Sequence, residues 1–298
     1  MFDIMYPYHK GVLYRIHVVH TSYMMAIKLF QRMSRSRISG VFIWVSVVSL
    51  HLCLYATILY ISSEIHRILW IITSVYIVKN SVSLKLLIDH VNITMNCLRN
   101  QDLLCARSHV SGIVRRRVDE LGEGHVASAA IESLYESLVD GFTSPLLYYV
   151  FLGPLGALLQ RIANTLDSAL GYKDPGYREV GWFSAKADTI INYLPARLTA
   201  LLEIMTCPLI KGSIRRALEI YLRDRGATES LNAGHPMAAA SGCLGVRLEK
   251  INSYTIGEEY CLPDWRDIRR GVTHIIIIVI IYILLIYLGV NIILSLVY

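Results

Sequence analysis

From Gly271 to Tyr298 the chain carries no charged residue, and Ile275 to Leu288 is apolar without a break. As a helix these 28 residues would be about 42 Å long, whereas the hydrocarbon core of a bilayer takes ~20 residues. A lipid-exposed strand cannot satisfy its backbone outside a closed barrel, so despite many β-branched residues the segment is expected to be a transmembrane helix. Ile38 to Ser63 is a second charge-free window, with one histidine, His51. Ile65 to Leu84 is weaker: Arg67 and Lys79 leave 11 uncharged residues between them. Both can snorkel from the helix ends, and the segment reads as a return span. Charged residues make up only 17% of the chain, against roughly 25% in soluble domains. A net charge of +6 over 298 residues suits an anionic lipid surface or a phosphorylated substrate, and no nucleic-acid partner is expected.

Orientation follows from the basic residues. Lys10, Arg15, Lys28, Arg32, Arg35 and Arg37 precede the first window, against Asp3 alone. The excess puts the N-terminus in the cytoplasm. The Glu64 to Arg67 link is then outside, re-entry falls near Lys85, and Arg266, Arg269 and Arg270 start the last span from inside. Two apolar pieces are ambiguous. Gly141 to Gln160 contains Pro145, Gly153, Pro154 and Gly156, and Leu194 to Ile210 contains Pro195, Arg197, Glu203 and Pro208. Each could cross, or could be re-entrant, interfacial or buried, as proline breaks and internal charges favour. The expected division is a basic cytoplasmic segment 1–37, a transmembrane hairpin 38–84, a cytoplasmic or membrane-associated catalytic region 85–270 and a C-terminal span 271–298. Helical patterning from Ala127 onward is interrupted by a loop-rich stretch, Gly171 to Gly181, and by a loop across Glu219 to Glu229.

Several chemistries are disfavoured. Six cysteines at 53, 97, 105, 207, 243 and 261 form no CxxC pair; they read as small reduced residues rather than a zinc site or disulfide frame. His51 and His274 read as tolerated membrane-edge residues, and Arg115 to Arg117 as a patch facing lipid headgroups. No phosphate-binding GxxxxGK[ST] loop, GxSxG, HExxH or EF-hand pattern occurs. Gly122 to Ala127 fits G-x-G-x-x-A, but no buried strand pattern precedes it, so a dinucleotide site is not expected.

Four strings can carry chemistry. Glu132, Glu136 and Asp140 recur at i, i+4 and i+8 among Ala, Leu and Val. On a helix they share one face, either a solvated stripe or a place for a divalent cation and phosphate. Arg161 to Lys173 packs Asn164, Thr165, Asp167 and Ser168 between two cations, either as a capping loop or as carboxylate and cation for a metal-phosphate. Asp188 and Asn192 are again four apart, followed by Pro195 and Arg197. There Arg197 would meet an anion at a helix start, or else pair with Glu203 or water. Asn232-Ala233-Gly234 precedes the small-residue run Met237 to Arg247, which suits close helix packing or backbone approach to a ligand.

These strings resemble the CobD/CbiB family, adenosylcobinamide-phosphate synthases of cobalamin biosynthesis, over Leu103 to Leu248. Glu132-Ser133 with Val139-Asp140-Gly141 is similar to the family's ES...VDG block, and Asn164 to Ser168 with Gly171-Tyr172-Lys173 to its NTLDS...GYK block. Asn192-Tyr193 with Pro195 to Leu198 is similar to NY-PARL, and Asn232-Ala233-Gly234 with Leu244 to Leu248 to its last block. The chain departs at Arg115-Arg116-Arg117-Val118 for GRDT, Ser137 for an Asn, Asp188-Thr189 for DD, Ser230-Leu231-Asn232 for SPN and Pro236-Met237-Ala238 for PEA. The N-terminal GDP...HPV signature is echoed only dimly by Tyr6-Pro7 and His20-Thr21.

The resemblance implies an all-α polytopic membrane protein with a helical cytoplasmic catalytic region containing re-entrant or interfacial segments. It implies a carbon-nitrogen ligase of the plasma membrane, using ATP and Mg²⁺. Adenosylcobyric acid would be joined through its propionate to aminopropanol phosphate or ethanolamine phosphate. Asp140, Asp167 and Asp188 would hold metal-phosphate, assisted by Glu132 or Glu136. Arg161, Lys173 and Arg197, with Ser168, would bind phosphates, and Asn164, Asn192 and Asn232 would orient amides or ribose. Since ATP is cytosolic and residues 161–188 carry eight charges, Gly141 to Gln160 and Leu194 to Ile210 are expected to dip into the membrane without crossing. Besides the bilayer, later membrane enzymes of the pathway are expected partners. The competing classes are a corrinoid transporter, suggested by proline-broken apolar segments, and a catalytically silent membrane partner.

Overall fold

A computed structural model describes residues 15–297; Asp3, Lys10 and Tyr6-Pro7 lie outside them. The described chain is helical apart from one two-stranded hairpin. It divides into two compact units, each discontinuous in sequence.

The first unit takes residues up to Ser83 and Asp140–Asn192. It contains α1 (Val18–Arg32), α2 (Arg37–Ile65), α3 (Arg67–Ser81), a π-helical turn entered at Val139 and ending at Thr143, α7 (Ser144–Leu170) and α8 (Arg178–Ile191). Side chains fix where helices begin: Ser36 caps α2 and His66 caps α3, each accepting from an orphan backbone N–H of the first turn. Ile43 and Val47 of α2, Ile77 of α3, and Leu158, Ile162 and Leu166 of α7 form the core. Gly40 lets α2 approach the Val180 backbone so closely that any Cβ would collide with its carbonyl oxygen. Gly153 adopts φ +62° and Pro154 follows, breaking α7 where the sequence placed its helix breakers.

The second unit takes Leu84–Val139 and Tyr193–Tyr298. Its helices are α4 (Lys85–Arg99), α5 (Leu103–Ser111), α6 (Glu123–Leu138), α9 (Tyr193–Thr206), α10 (Ile214–Asp224), α11 (Gly234–Leu244) and α12 (Trp265–Val297). Strands β1 (Leu248–Lys250) and β2 (Tyr254–Ile256) pair antiparallel with Leu248 opposite Ile256. Every residue of α11 is buried. A Cβ on Gly242 would lie 2.5 Å from the Ala217 Cα of α10, so the small-residue run serves helix packing.

Among the described residues, five stretches are long and apolar enough to cross a membrane: Arg37–Ile65, Arg67–Arg99, Glu123–Leu170, Tyr193–Ile210 and Trp265–Ile292. The chain is an all-α, multi-pass membrane protein. Both ambiguous segments fall among the five by length and composition.

Other expectations are corrected. His51 is buried, bonding Thr21 Oγ1 at 3.0 Å and the Val47 carbonyl at 2.8 Å. His274 is fully buried between Tyr135 OH (2.8 Å) and Thr206 Oγ1 (2.9 Å). They are clamps between helices, because a ring with two polar nitrogens is stable in an apolar interior once both are bonded. Cys97 and Cys105 are disulfide-bonded across the α4–α5 turn, with Cα atoms 5.7 Å apart; the tight turn brings together two cysteines whose spacing shows no motif. Helix α10 extends to Asp224, shortening the loop expected from Glu219, because Ala217 and Ile220 give it a buried face.

Candidate functional site

In the first unit the polar residues of three sequence strings meet. The π-helical turn presents Asp140, α7 presents Gln160 and Asn164 one turn apart, and α8 ends on Asp188 and Asn192. Asn164 Nδ2 donates to Asp140 Oδ2 (3.2 Å) and to Asp188 Oδ1 (3.3 Å). Asn192 Nδ2 donates to the same Asp188 oxygen at 3.0 Å. The Asn192 carbonyl in turn accepts from Ser144 Oγ (2.6 Å) and Gln160 Nε2 (3.1 Å). Asn192, Gln160 and Ser144 are fully buried.

Burial pushes the Asp188 carboxyl up from its ordinary value, against the opposing pull of the Asn192 and Asn164 amides. A cation beside two carboxylates that share one amide would relieve that burial cost. The donors are hard oxygens, which suit Mg²⁺ rather than a thiophilic metal. Among the described residues no three His, Cys, Asp or Glu side chains gather around one point. The set therefore fits an ion held by two carboxylates, with phosphate and water completing its shell.

The neighbouring expected residues stand differently. Arg161 is buried, its Nε donating to the Ser81 carbonyl at 2.8 Å and its Nη2 to Ser83 Oγ at 3.0 Å. It thus binds the end of α3, where carbonyls lack helical partners. Asp167 turns toward Gly171, where any Cβ would collide with its carboxylate. Ser168 is half-buried on α7 and Lys173 is exposed after the helix end. The 161–170 string is helix interior, not a capping loop, because its apolar positions Ile162, Leu166 and Ala169 belong to the core.

In the second unit Glu132 is buried and enclosed. Its carboxylate accepts from Ser128 Oγ (2.5 Å) and Tyr254 OH (2.5 Å) and pairs with Arg116 at 3.0 Å. Arg116 also donates to the Glu249 carbonyl at 3.1 Å, so this arginine ties α6 to β1 instead of facing headgroups. Glu136 is exposed. Arg197 stacks on Tyr193 at 3.3 Å and reaches Asn232 Oδ1 at 3.4 Å. It does not pair with Glu203, whose two carboxylate oxygens are buried without a partner. Beside Asn232, His235 Nδ1 lies 2.9 Å from Tyr221 OH. Burial, then the charges of Arg197 and Arg225, push the imidazole down from 6.5 to about 4. Sequence reading missed Ser144 and Gln160, which sit in an apolar segment; the signal was Gln160 four residues before Asn164. It also missed His235 and Tyr254, for which no local signal exists.

The family model for CobD/Cbib protein matches residues 1–282. A probable cobalamin biosynthesis protein CobD of Aeropyrum pernix is 45% identical over 267 residues, 90% of this chain and 83% of the relative. One of the same description from Thermoplasma acidophilum is 37% identical over 76% of this chain and 74% of its own. The cobalamin biosynthesis protein CobD of Leptospira interrogans is 36% identical over 70% and 66%. No solved structure matches.

Proposed function

The chain belongs to the CobD/CbiB family of cobalamin biosynthesis proteins, and from that premise we propose that it is an ATP-dependent adenosylcobinamide-phosphate synthase. Its substrates are adenosylcobyric acid and the phosphate ester of aminopropanol or ethanolamine. The carrying observation is the hydrogen-bonded, half-buried Asp140–Asn164–Asp188–Asn192 cluster of the first unit.

A carboxylate is a poor acyl donor. Transfer of the ATP γ-phosphoryl group to a propionate oxygen supplies a leaving group and releases ADP. The amine nitrogen then attacks the carbonyl carbon, the C–N bond forms, the C–O bond to phosphate breaks, and the amine gives up a proton. When bound, Mg²⁺ would neutralise phosphate charge; Asp140 and Asp188 are the residues to hold it. Asn164 and Asn192 fix those carboxylates, Lys173 supplies positive charge near phosphate, and Arg161 secures α7 to the end of α3. In the second unit, Arg197 and Asn232 offer a cation and an amide to an anionic group. Asp167 and Ser168 stand on the cluster's helix outside the pair of carboxylates that would hold the ion, while Glu132 serves to position the hairpin and Glu136 is solvated.

The reaction places the cluster on the cytoplasmic side, with 141–160 and 194–210 not crossing. The break at Gly153 supports this for the first segment. Reaction of Lys173→Cys with an external thiol reagent in sealed cells would overturn it. The same break supports the carrier as a second reading; ATP turnover separates the two. The test of function incubates purified protein with adenosylcobyric acid, Mg-ATP and each amine. A corrin mass gain of one amide, absent in Asp188→Asn, is expected; no product with any amine from folded protein would refute the ligase.

A further inference from the structure

Helix α10 has two apolar faces, and only one is used by the fold. Ala217 and Ile220 are buried against the unit, and Arg216 is held there by the Gly242 (2.6 Å) and Cys243 (3.0 Å) carbonyls. On the other side Ile214, Leu218 and Leu222 recur at i, i+4 and i+8 and are 44–55% exposed, an apolar stripe that α-helical spacing puts in one line. The helix follows directly on the stretch Tyr193–Ile210, itself apolar enough to enter a membrane. That stretch has its own exposed line, Leu198, Leu201, Met205 and Leu209. Lys211 precedes the α10 stripe and Arg215, paired with Glu219 at 2.9 Å, flanks it, while residues 211–225 hold five basic against two acidic residues.

We propose that α10 is an interfacial helix, lying in the headgroup layer with Ile214, Leu218 and Leu222 in the acyl boundary. The occupant of the exposed face is lipid. Three observations converge on it: an exposed apolar line on the helix that follows a membrane-entering segment with an exposed line of its own, a net excess of basic residues suited to anionic headgroups, and a second face already committed to protein. The geometry does not depend on whether Tyr193–Ile210 crosses the bilayer, nor on the proposed ligase activity.

The test places a nitroxide label in turn at 214, 215, 218, 219 and 222 of the full chain. The exposed cysteines Cys53 and Cys261 are replaced by Ser, and the protein is reconstituted in phosphatidylcholine–phosphatidylglycerol vesicles. Power saturation compares access of oxygen, enriched in lipid, with that of a water-soluble nickel chelate. The oxygen-to-nickel ratio is expected to be several-fold higher at 214, 218 and 222 than at 215 and 219. Equal ratios would overturn the proposal in favour of an aqueous face. Low access to both reagents at the three stripe positions would overturn it in favour of a second protein copy. A bimane on Leu222→Cys gives an independent reading: quenching by brominated lipid is expected, and quenching by aqueous iodide alone would refute the proposal.

Discussion

Protonation of His235 should destabilise this protein as the pH falls. The ring is 7% exposed, its Nδ1 is bonded to Tyr221, and it is pushed down to about 4 from an ordinary 6.5. Because the folded value lies below the unfolded one, the unfolded chain binds the extra proton first as pH falls. Stability is therefore retained above about pH 6.5 and lost progressively down to about pH 4. A gap of about 2.5 units at ~1.36 kcal/mol each gives a loss of about 3 kcal/mol, or on the order of 6 °C in melting temperature for a chain of this size. His235→Gln keeps a polar partner for Tyr221 without the charge. Melting of the detergent-solubilised protein between pH 8 and 4 should show wild type falling below the variant by that amount at the acid end, with the two close at pH 8. Parallel pH profiles would refute the assignment.

Asp188 has the opposite sign. Its folded value is raised, so the native state holds the proton longer and stability falls as pH rises through that value; Asp188→Asn should abolish this slope while lowering ligase turnover by ~100-fold or more. Millimolar Mg²⁺ should raise the melting temperature of wild type but not of Asp140→Asn or Asp188→Asn, as ligand linkage requires. Arg161→Met strips the Ser81 carbonyl and Ser83 hydroxyl of their donor and should cost about 2–4 kcal/mol, read from thermal or denaturant unfolding. Gly242→Val must push α10 from α11, where even a Cβ would sit 2.5 Å from Ala217, and should cost about 1–3 kcal/mol or block folding.

The membrane spans were legible because an uninterrupted apolar run has few stable solutions, and the break in α7 because Gly153 and Pro154 constrain the backbone directly. Polar positions at helical spacing also pointed to Asp188 with Asn192. What escaped was set by distance in sequence. Tyr254 reaches Glu132 across 122 residues and His274 reaches Tyr135 across 139, so a carboxylate enclosed by partners reads the same as a free one. Arg161 next to Asn164 reads as a ligand of phosphate, yet its guanidinium faces the end of α3. Polar spacing gives the turn of a helix; only packing decides what that turn meets. The exposed line of α10 was hidden by its charges, which made residues from Glu219 onward look like a loop.

The most direct test of the proposed ligase activity follows oxygen. With ¹⁸O in the propionate carboxylate of adenosylcobyric acid, activation by phosphoryl transfer must carry one labelled oxygen into the phosphate released as the amide forms. One ¹⁸O per phosphate, with no transfer in Asp188→Asn, is the expected result. Amide formed with unlabelled phosphate, or no amide from folded protein, would contradict it.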